Sequence, residues 1–282
     1  MDKKTNSSKI SYCPICNRSF DTKLEPIKVL GINITPKKRL CEQCSNKKNL
    51  EVIHNENKLK ILELQKKSNI PKFFYNTDIT NISLQWKWQT KIINFIKNWS
   101  PNYSNNWRLP FLFGVSGTGK TLMSYCLINK AIKEYQIDAA ILDIASLIAN
   151  NKETDTNSYG KFGIQNINLL IIDSFGCHRI NPWILDTLYT IIDNRLKKQL
   201  PTMITSNVDP TAIGKYFLEL AGNVNLKHIC SALEDRIFEL CLLMKLNGTS
   251  IRLEKALKSI KDDKQSNTDY NLQWITKKNL PN

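Results

Sequence analysis

The chain lacks long hydrophobic runs: its apolar stretches, such as residues 169–172 with their neighbours, are far too short to span a bilayer. Its first dozen residues are polar and contain no apolar segment of the kind found in secretory signals. These absences predict a cytoplasmic protein without a membrane partner. The 282 residues, of which 41% are hydrophobic, suffice for the core of one large domain or two.

Arginine is also scarce, since only 7 of the 40 basic residues are Arg and the rest are Lys. The formal net charge is nevertheless +15, with a pI near 9.4, and this excess favours a polyanionic partner such as nucleic acid. A solvated basic surface is the alternative, because the abundance of Lys, Asn and Ile is expected from an AT-rich coding sequence. An arginine at a motif position is correspondingly harder to explain by chance.

Two CxxC pairs stand near the start of the chain, separated by 24 residues, and have the ligand number and pairing of a tetrahedral zinc site. So short a segment buries little core, so bound Zn²⁺ would supply its folding free energy. Disulfide bonds are the alternative, which a reducing compartment disfavours. The predicted zinc-binding domain covers residues 1–45, with the ligands Cys13, Cys16, Cys41 and Cys44. We expect ordinary small apolar residues at the other four cysteines, Cys126, Cys177, Cys230 and Cys241.

The pattern changes after this module. Residues 46–70 carry apolar residues with charges between them, which predicts a helical linker that ends before Pro71. Helical and strand patterns then alternate, as in a parallel sheet with helices on both faces, and an aromatic helix is predicted from Trp86 to Trp99. The predicted strands are residues 109–113, 139–142, 168–172 and 202–205. We expect this α/β domain over residues 71–253 and a basic, flexible tail over residues 254–282.

Residues 114–121 read Gly-Val-Ser-Gly-Thr-Gly-Lys-Thr between a strand pattern and a helix pattern, which is the GxxxxGK[ST] motif of P-loop nucleotide sites. Backbone N–H groups and the helix N-terminus would hold the phosphates of ATP. Lys120 would reach the β- and γ-phosphates, and the Thr121 hydroxyl would bind Mg²⁺. A glycine-rich turn that happens to precede a lysine is the less favoured alternative. The predicted nucleotide-binding residues are Gly114, Val115, Ser116, Gly117, Thr118, Gly119, Lys120, Thr121 and Leu122.

Two further strand ends complete the predicted ATP site. The apolar run 169–172 ends at Asp173, the form of a Walker B element, and Asp173 would hold Mg²⁺ opposite the phosphates. A buried strand that stops at a solvated Asp is the alternative. A later strand pattern ends at Asn207, whose amide can orient water near the γ-phosphate.

Taken in order, the motifs over about residues 70–252 resemble those of the DnaC/DnaI/IstB branch of the AAA+ ATPases. The motifs that carry the resemblance are residues 70–74, 114–121, 169–173, 192–195, 201–207, 233–237 and 248–252. The resemblance implies a P-loop NTPase (AAA+) fold in which Asn207 is sensor 1 and Arg236 is an arginine finger offered to a neighbouring subunit's nucleotide. A surface ion pair of Arg236 with Asp235 or Glu239 is the alternative.

The sequence leaves two possible roles open for two arginines and for five aromatic residues. Arg195 and Arg252 could touch DNA or phosphate, or cap a structural element. Five aromatic residues could stack bases, but helical spacing favours packing against the sheet or lining an adenine pocket. These are Trp86, Trp88, Trp99, Tyr103 and Trp107.

One position departs from the family pattern, because Ser174 follows Asp173 where a second acid is usual. Serine is a far poorer general base than a carboxylate at neutral pH. We therefore expect intact nucleotide binding with slow hydrolysis, or another acid such as Asp143 in the same role.

Members of this branch load replicative helicases or assist transposition. The resemblance implies an ATP-dependent loader that binds a hexameric replicative helicase, places it on single-stranded DNA and self-associates through the ATPase domain. The zinc module would contact the helicase, or else DNA. The alternatives are an IstB-like transposition ATPase that binds duplex DNA and a transposase, and a nucleotide-gated DNA-binding adaptor with little hydrolysis.

Overall fold

The computed structural model describes most of the chain. The described residues are 10–21, 27–29, 32–34, 40–82, 89–101, 107–149, 163–177, 181–221 and 226–264. They form two compact units, Met1–Leu62 and Glu63–Asn282. The division falls within a long helix, α1 (Glu42–Lys67), whereas the sequence places the end of the linker near residue 70.

The first unit contains short antiparallel pairs and little apolar core. Strand β1 (Ile10–Tyr12) pairs with β2 (Ser19–Asp21), and β3 (Ile27–Val29) pairs with β4 (Ile32–Ile34). Among its described residues, the buried hydrophobic side chains are those of Cys13 and Cys41. Packing alone is therefore a weak source of stability for this unit.

The second unit is built on a five-stranded sheet of order β6-β7-β8-β5-β9 in which every neighbouring pair is parallel. Its strands are β5 (Arg108–Gly114), β6 (Ala139–Asp143), β7 (Leu169–Phe175), β8 (Thr202–Ser206) and β9 (Leu242–Leu246). The four predicted strands are thus confirmed. Strand β9, which the sequence analysis did not predict, adds an edge next to β5.

Helices cover both faces of this sheet. The bounds are α2 (Thr90–Asn98), α3 (Lys120–Tyr135), α4 (Ile144–Ala149), α5 (Pro182–Lys197), α6 (Ile213–Ala221), α7 (Lys227–Leu240) and α8 (Ile251–Lys264). Alternate residues of a strand point to opposite faces. Leu170 and Ile172 share a core cluster with residues of α5, α6 and α7, whereas α3 packs on β6, β7 and β8 without belonging to that cluster. The α/β class is confirmed.

A buried arginine closes the amino-terminal end of the sheet. The Arg195 side chain is fully buried, and its Nε donates to the Thr202 hydroxyl at 2.7 Å. Its other nitrogens donate to the carbonyl oxygens of Ile167 and Pro201, both at 2.8 Å, and of Ile164 at 3.3 Å. Two roles were left open for Arg195, and its complete burial excludes contact with DNA or phosphate. The structure supports the other role, since Arg195 caps the ends of chain segments inside the core.

Of the five aromatic residues considered for base stacking, the structure describes Trp99 and Trp107. Helix α2 covers the second half of the predicted aromatic helix, while Trp86, Trp88 and Tyr103 lie outside the described residues. Trp99 is buried and packs edge-on against Tyr135, with ring centroids 6.0 Å apart, and Trp107 packs against the core. For these two tryptophans, packing prevails over exposed base stacking.

The end of the chain also differs from expectation. Residues 254–264, assigned from sequence to a flexible tail, belong to helix α8, and residues 265–282 lie outside the described part. No helix among the described residues has the length and apolarity needed to cross a membrane.

Candidate nucleotide site and cysteine cluster

The loop between β5 and α3 is held close to the segment that follows β9. Gly114 and Gly117 have φ angles of 140° and 85°, in a region that other residues rarely adopt. A Cβ atom on Gly117 would lie 2.1 Å from the Ser250 Oγ, and one on Gly114 would lie 2.5 Å from the Leu246 oxygen. The Ile251 N–H donates to the Gly117 oxygen at 3.0 Å. Glycine is therefore needed here both for its conformation and for the close approach.

Lys120 begins helix α3 at the mouth of this loop. Its Nζ donates to the carbonyl oxygens of Gly114 at 2.8 Å and Val115 at 2.9 Å. Burial lowers the pKa of the Lys120 ammonium below its ordinary value, while nearby Cys177 and Asp173 raise it. The loop thus holds a largely desolvated cation beside a helix N-terminus, the arrangement that binds phosphate oxygens in P-loops.

Asp173 meets three hydroxyl groups at the end of β7. The Thr121 Oγ1 lies 3.1 and 3.2 Å from its two carboxylate oxygens, and the Thr205 hydroxyl donates to Oδ1 at 2.5 Å. The Ser174 Oγ lies 3.4 Å from Oδ2. A carboxylate beside a hydroxyl offers the oxygen ligands that Mg²⁺ prefers. Thr121 and Asp173, predicted separately from sequence, are therefore adjacent and fit the metal.

A cavity of about 500 Å³ joins these groups to an aromatic end. Lys120, Thr121 and Leu122 line it together with Phe74 and Tyr125, whose ring centroids are 4.6 Å apart. The groups predicted to bind phosphate and the aromatic pair thus lie in one cavity. Phosphates and a flat base are the two chemistries that this cavity can accommodate.

Phe74 owes its position to a buried amide. The Asn129 Nδ2, on helix α3, donates to the Phe74 oxygen at 2.7 Å and to the Thr77 oxygen at 3.0 Å. Gln65 donates to the Asn129 Oδ1 at 3.2 Å. The aromatic end of the cavity is therefore fixed to the same helix that carries Lys120.

Asn207 lies at this cavity, as the sequence predicted from its place after β8. Its side chain is exposed, and Nδ2 lies 3.3 Å from the Cys177 Sγ. Cys177 is exposed and lines the cavity, which corrects its assignment as an ordinary apolar residue; Cys126, Cys230 and Cys241 are buried as expected. The reason is position, since Cys177 follows the end of β7 instead of lying within an element.

Among the described residues after Asp173, none places a second acid at the cavity. Ser174 lines the cavity with φ = 60°, the left-handed region. Asp143 is in register with Asp173 on neighbouring strands, but its carboxylate accepts hydrogen bonds from the Ser146 N–H at 3.2 Å and hydroxyl at 3.1 Å. Asp143 is not among the residues that line the cavity. Within this structure it caps helix α4.

Two residues at the cavity were left undecided or missed by sequence reasoning. Arg252 lines the cavity and adds to the lowering of the Lys120 pKa, and Lys255 lies one helical turn further along α8. The GxSxR pattern at 248–252 was the available signal for Arg252. No sequence signal marked Lys255, because helix α8 itself was not predicted.

Arg236 does not line this cavity. Its Nε lies 3.0 Å from the Asp193 Oδ1 and its NH1 lies 3.5 Å from the Glu239 Oε2. Asp193 also pairs with Lys197 at 2.6 Å, and the Arg236 side chain is 38% exposed. In the single chain Arg236 forms a surface ion-pair network, with Asp193 as a partner that the sequence did not indicate.

The four predicted zinc ligands come together in the first unit. Their Sγ atoms all lie within 4.8 Å of one another, and those of Cys16 and Cys41 are 3.5 Å apart. A hydrogen bond from the Cys41 backbone lowers the pKa of the Cys13 thiol to about 6, whereas side-chain hydrogen bonds with Cys16 raise that of Cys44 to about 12. Four crowded thiols cannot all ionise without a cation among them. The set fits the tetrahedral Cys₄ sites that bind Zn²⁺.

The fold and the cavity together define a P-loop nucleotide-binding protein of the AAA+ class. The family model described as IstB-like ATP binding protein matches residues 43–259, and the chain belongs to this family. The resemblance seen in the motifs is thereby confirmed.

Individual relatives are identical to this chain at about a quarter of the aligned positions. The replicative helicase loader DnaI of Bacillus subtilis is 24% identical over 182 residues, which cover 64% of this chain and 58% of DnaI. The replicative helicase loader DnaC of Buchnera aphidicola subsp. Baizongia pistaciae is 24% identical over 166 residues, which cover 56% of this chain and 67% of DnaC. The chain thus spans little more than half the length of its DnaI relative.

Solved structures match at the level of the fold. A crystal structure of DnaI superposes with a TM-score of 0.53 at 19% identity, covering 65% of this chain and 94% of that one. A primosome component from Streptococcus pyogenes gives 0.50 at 17% identity, covering 65% and 92%. At such identities the likeness shows the shared architecture alone.

Proposed function

We propose that this protein is an ATP- and Mg²⁺-dependent helicase loader that acts in the cytoplasm. In this proposal it binds a hexameric replicative helicase and places it on single-stranded DNA. The observation that carries the proposal is one cavity lined by Lys120, Thr121 and Asn207 in a chain of the IstB-like family. The Asp173 carboxylate lies 3.1 Å from the Thr121 hydroxyl at the edge of this cavity. The names of the DnaI and DnaC relatives support the loader role.

ATP would lie with its phosphates on the loop residues 114–122 and its base toward Phe74 and Tyr125. Thr121 and Asp173 would hold Mg²⁺, which supplies charge neutralisation on the phosphates. Arg252 adds a second cation at the cavity, and a guanidinium suits phosphate oxygens because its donors are planar and permanently charged. Asn207 would orient the attacking water as sensor 1.

Slow hydrolysis forms part of the proposal. Ser174 stands where a second acid is usual, and the Asp143 carboxylate accepts a hydrogen bond from the Ser146 N–H. Among the described residues, no carboxylate lines the cavity. We expect low turnover that Ser174→Glu raises, measured by phosphate release with and without single-stranded DNA. Vigorous wild-type turnover that Ser174→Glu leaves unchanged would contradict this part and leave binding unaffected.

Self-association would use Arg236 as a finger toward a neighbour's nucleotide. To do so, Arg236 would leave Asp193 and Glu239, a modest cost because solvent screens ion pairs near the surface. ATP occupancy would then report on assembly. The DNA contact is supported by the formal net charge of +15.

The loader role is tested by affinity capture from the native source with the full chain and ATP. Recovery of a replicative helicase, lost with Lys120→Ala, is the expected result. A second candidate, an IstB-like transposition helper, is favoured by the family description itself. Recovery of a transposase without a helicase would overturn the loader role in its favour, and recovery of DNA alone would favour the adaptor.

The first unit is proposed to be a zinc module that contacts the helicase. Metal analysis of purified protein should give one zinc per chain, because the cluster offers one set of four thiolates. The double variant Cys13→Ser/Cys41→Ser should lose the metal, whereas Cys177→Ser, an exposed cysteine of the second unit, should keep it. A folded, metal-free wild type would contradict the site.

A further inference from the structure

Thr205 makes two hydrogen bonds that the proposed mechanism does not yet use. Its side chain is buried, with 1% of the residue exposed, at the carboxyl end of β8. The hydroxyl donates to the Asp173 Oδ1 at 2.5 Å and accepts from the Ser174 N–H at 3.0 Å. A hydroxyl has one hydrogen to donate, so these bonds assign that hydrogen to Asp173.

The same residue lies opposite a β-bulge. Strands β7 and β8 pair Ile172 with Ile204 and Phe175 with Ser206, so Asp173 and Ser174 together face Thr205 alone. The extra residue leaves the ladder, and Ser174 adopts φ = 60°. Bulges of this kind re-aim a side chain and often occur beside functional sites. Here the Thr205 hydroxyl takes the place of the missing ladder partner.

We infer that Thr205 is a positioning residue for the magnesium site. By fixing one oxygen of Asp173 and the peptide that follows it, Thr205 holds the carboxylate against the Thr121 hydroxyl. The inference rests on the proposed function, in which Thr121 and Asp173 hold Mg²⁺. It adds that strand β8, which leads to Asn207, also sets the geometry of the metal ligand. It does so through a buried hydroxyl at the wall of the cavity that is already bonded to Asp173 and to the Ser174 N–H.

The same strand supplies a matched control. Thr202, at the other end of β8, is also fully buried, and its hydroxyl accepts from Arg195 at 2.7 Å and donates to the Leu200 oxygen at 2.9 Å. Thr202→Val and Thr205→Val therefore each remove one buried threonine hydroxyl from the same strand. Of the two positions, only Thr205 lies opposite the bulge.

The experiment measures the affinity of the full chain for a fluorescent ATP analogue in Mg²⁺ and in EDTA. The ratio of the two dissociation constants is the gain from the metal. Thr205→Val should reduce this gain about tenfold, since hydrogen bonds to a charged group are among the stronger ones. Affinity in EDTA should stay close to that of wild type. Thr205→Ser, which keeps the hydroxyl, and Thr202→Val should retain the full gain.

The outcomes separate the inference from the proposed function. An unchanged Mg²⁺ gain in Thr205→Val overturns the inference, as does an equal loss in Thr202→Val, which would indicate a general effect of strand stability. Thermal unfolding is followed for each variant, and Thr205→Ala is measured in the same way should the valine variant not fold. A wild type that binds no analogue in either buffer contradicts the proposed function itself.

Discussion

The two ends of the central sheet bury polar groups in different ways. At the amino-terminal end the Arg195 guanidinium is fully buried and donates to the carbonyl oxygens of Ile167 and Pro201. At the carboxyl end Lys120 and Asp173 are each only 8% exposed, yet both belong to the site that faces the nucleotide cavity. Both ends have partners within the protein, but Arg195 is enclosed by the core, whereas Lys120 lines a cavity that a ligand can enter.

The comparison indicates where stability and function lie. Burial of a charge is costly unless partners compensate it. Arg195 finds that compensation in backbone oxygens, so its removal should act on folding. At the other end, burial disfavours the charged form of Lys120 and lowers its pKa. Bound phosphate would offset this cost of burying the charge.

The largest effect is expected at the amino-terminal end. Arg195→Met should lower the free energy of unfolding by about 3–5 kcal/mol, because buried oxygens lose a charged donor. Urea denaturation measures this loss. The matched change Arg252→Met, at an exposed arginine of the cavity, should alter unfolding by less than about 0.5 kcal/mol. A stable Arg195→Met variant would remove the distinction between the two ends.

The second effect concerns binding at the carboxyl end. Lys120→Ala should weaken ATP binding about a hundredfold, close to 3 kcal/mol, because a charged donor to the phosphates is lost. Its unfolding free energy should not fall, since the substitution also removes a desolvated charge. Calorimetric titration measures the change in ATP affinity, and urea denaturation measures the free energy of unfolding. Lys133→Ala, on the same helix, should leave binding intact; tight ATP binding by Lys120→Ala would contradict the P-loop assignment.

The smallest effect is expected at Ser174, whose left-handed backbone conformation is unfavourable for residues other than glycine. Among the described residues, five non-glycine positions have positive φ, and Ser174 is the one without a side-chain amide. Ser174→Gly should raise the free energy of unfolding by about 0.5–1 kcal/mol, because glycine relieves the left-handed conformation. Ser146→Gly, within helix α4, should lower it by a similar amount. Destabilisation by both changes would show that Ser174 is not strained.

Local patterns explain how much of the fold could be predicted. The apolar runs within β5, β6 and β7 are continuous because both faces of the sheet are covered, so the positions of these strands were evident. Strand β9 was missed because its apolar residues follow the end of helix α7 at Leu240 with a single residue, Cys241, between the two elements. Helix α8 was missed because its sequence is rich in Lys and Asp, and most of its residues from 251 to 259 are exposed.

The candidate site shows the same division. The P-loop, Asp173 and the four clustered cysteines were predictable because each has a short local pattern. These patterns are the glycine loop before Lys120, the apolar run that ends at Asp173 and the two CxxC pairs. Arg195 and Arg252 were not distinguishable, since both are arginines at motif positions and only their burial separates them. The Arg236 network depends on Asp193, a residue of another helix.

Neighbours a few bonds apart set the alternation of strands and helices, the glycine loop ahead of Lys120 and the spacing within each CxxC pair, so these features follow from the amino-acid sequence alone. The tertiary structure decided which arginine is a core residue and which faces the cavity, why Thr205 differs from Thr202, and that Asp143 caps a helix. These roles depend on desolvation and on partners from distant segments, and both exist only after the strands have come together.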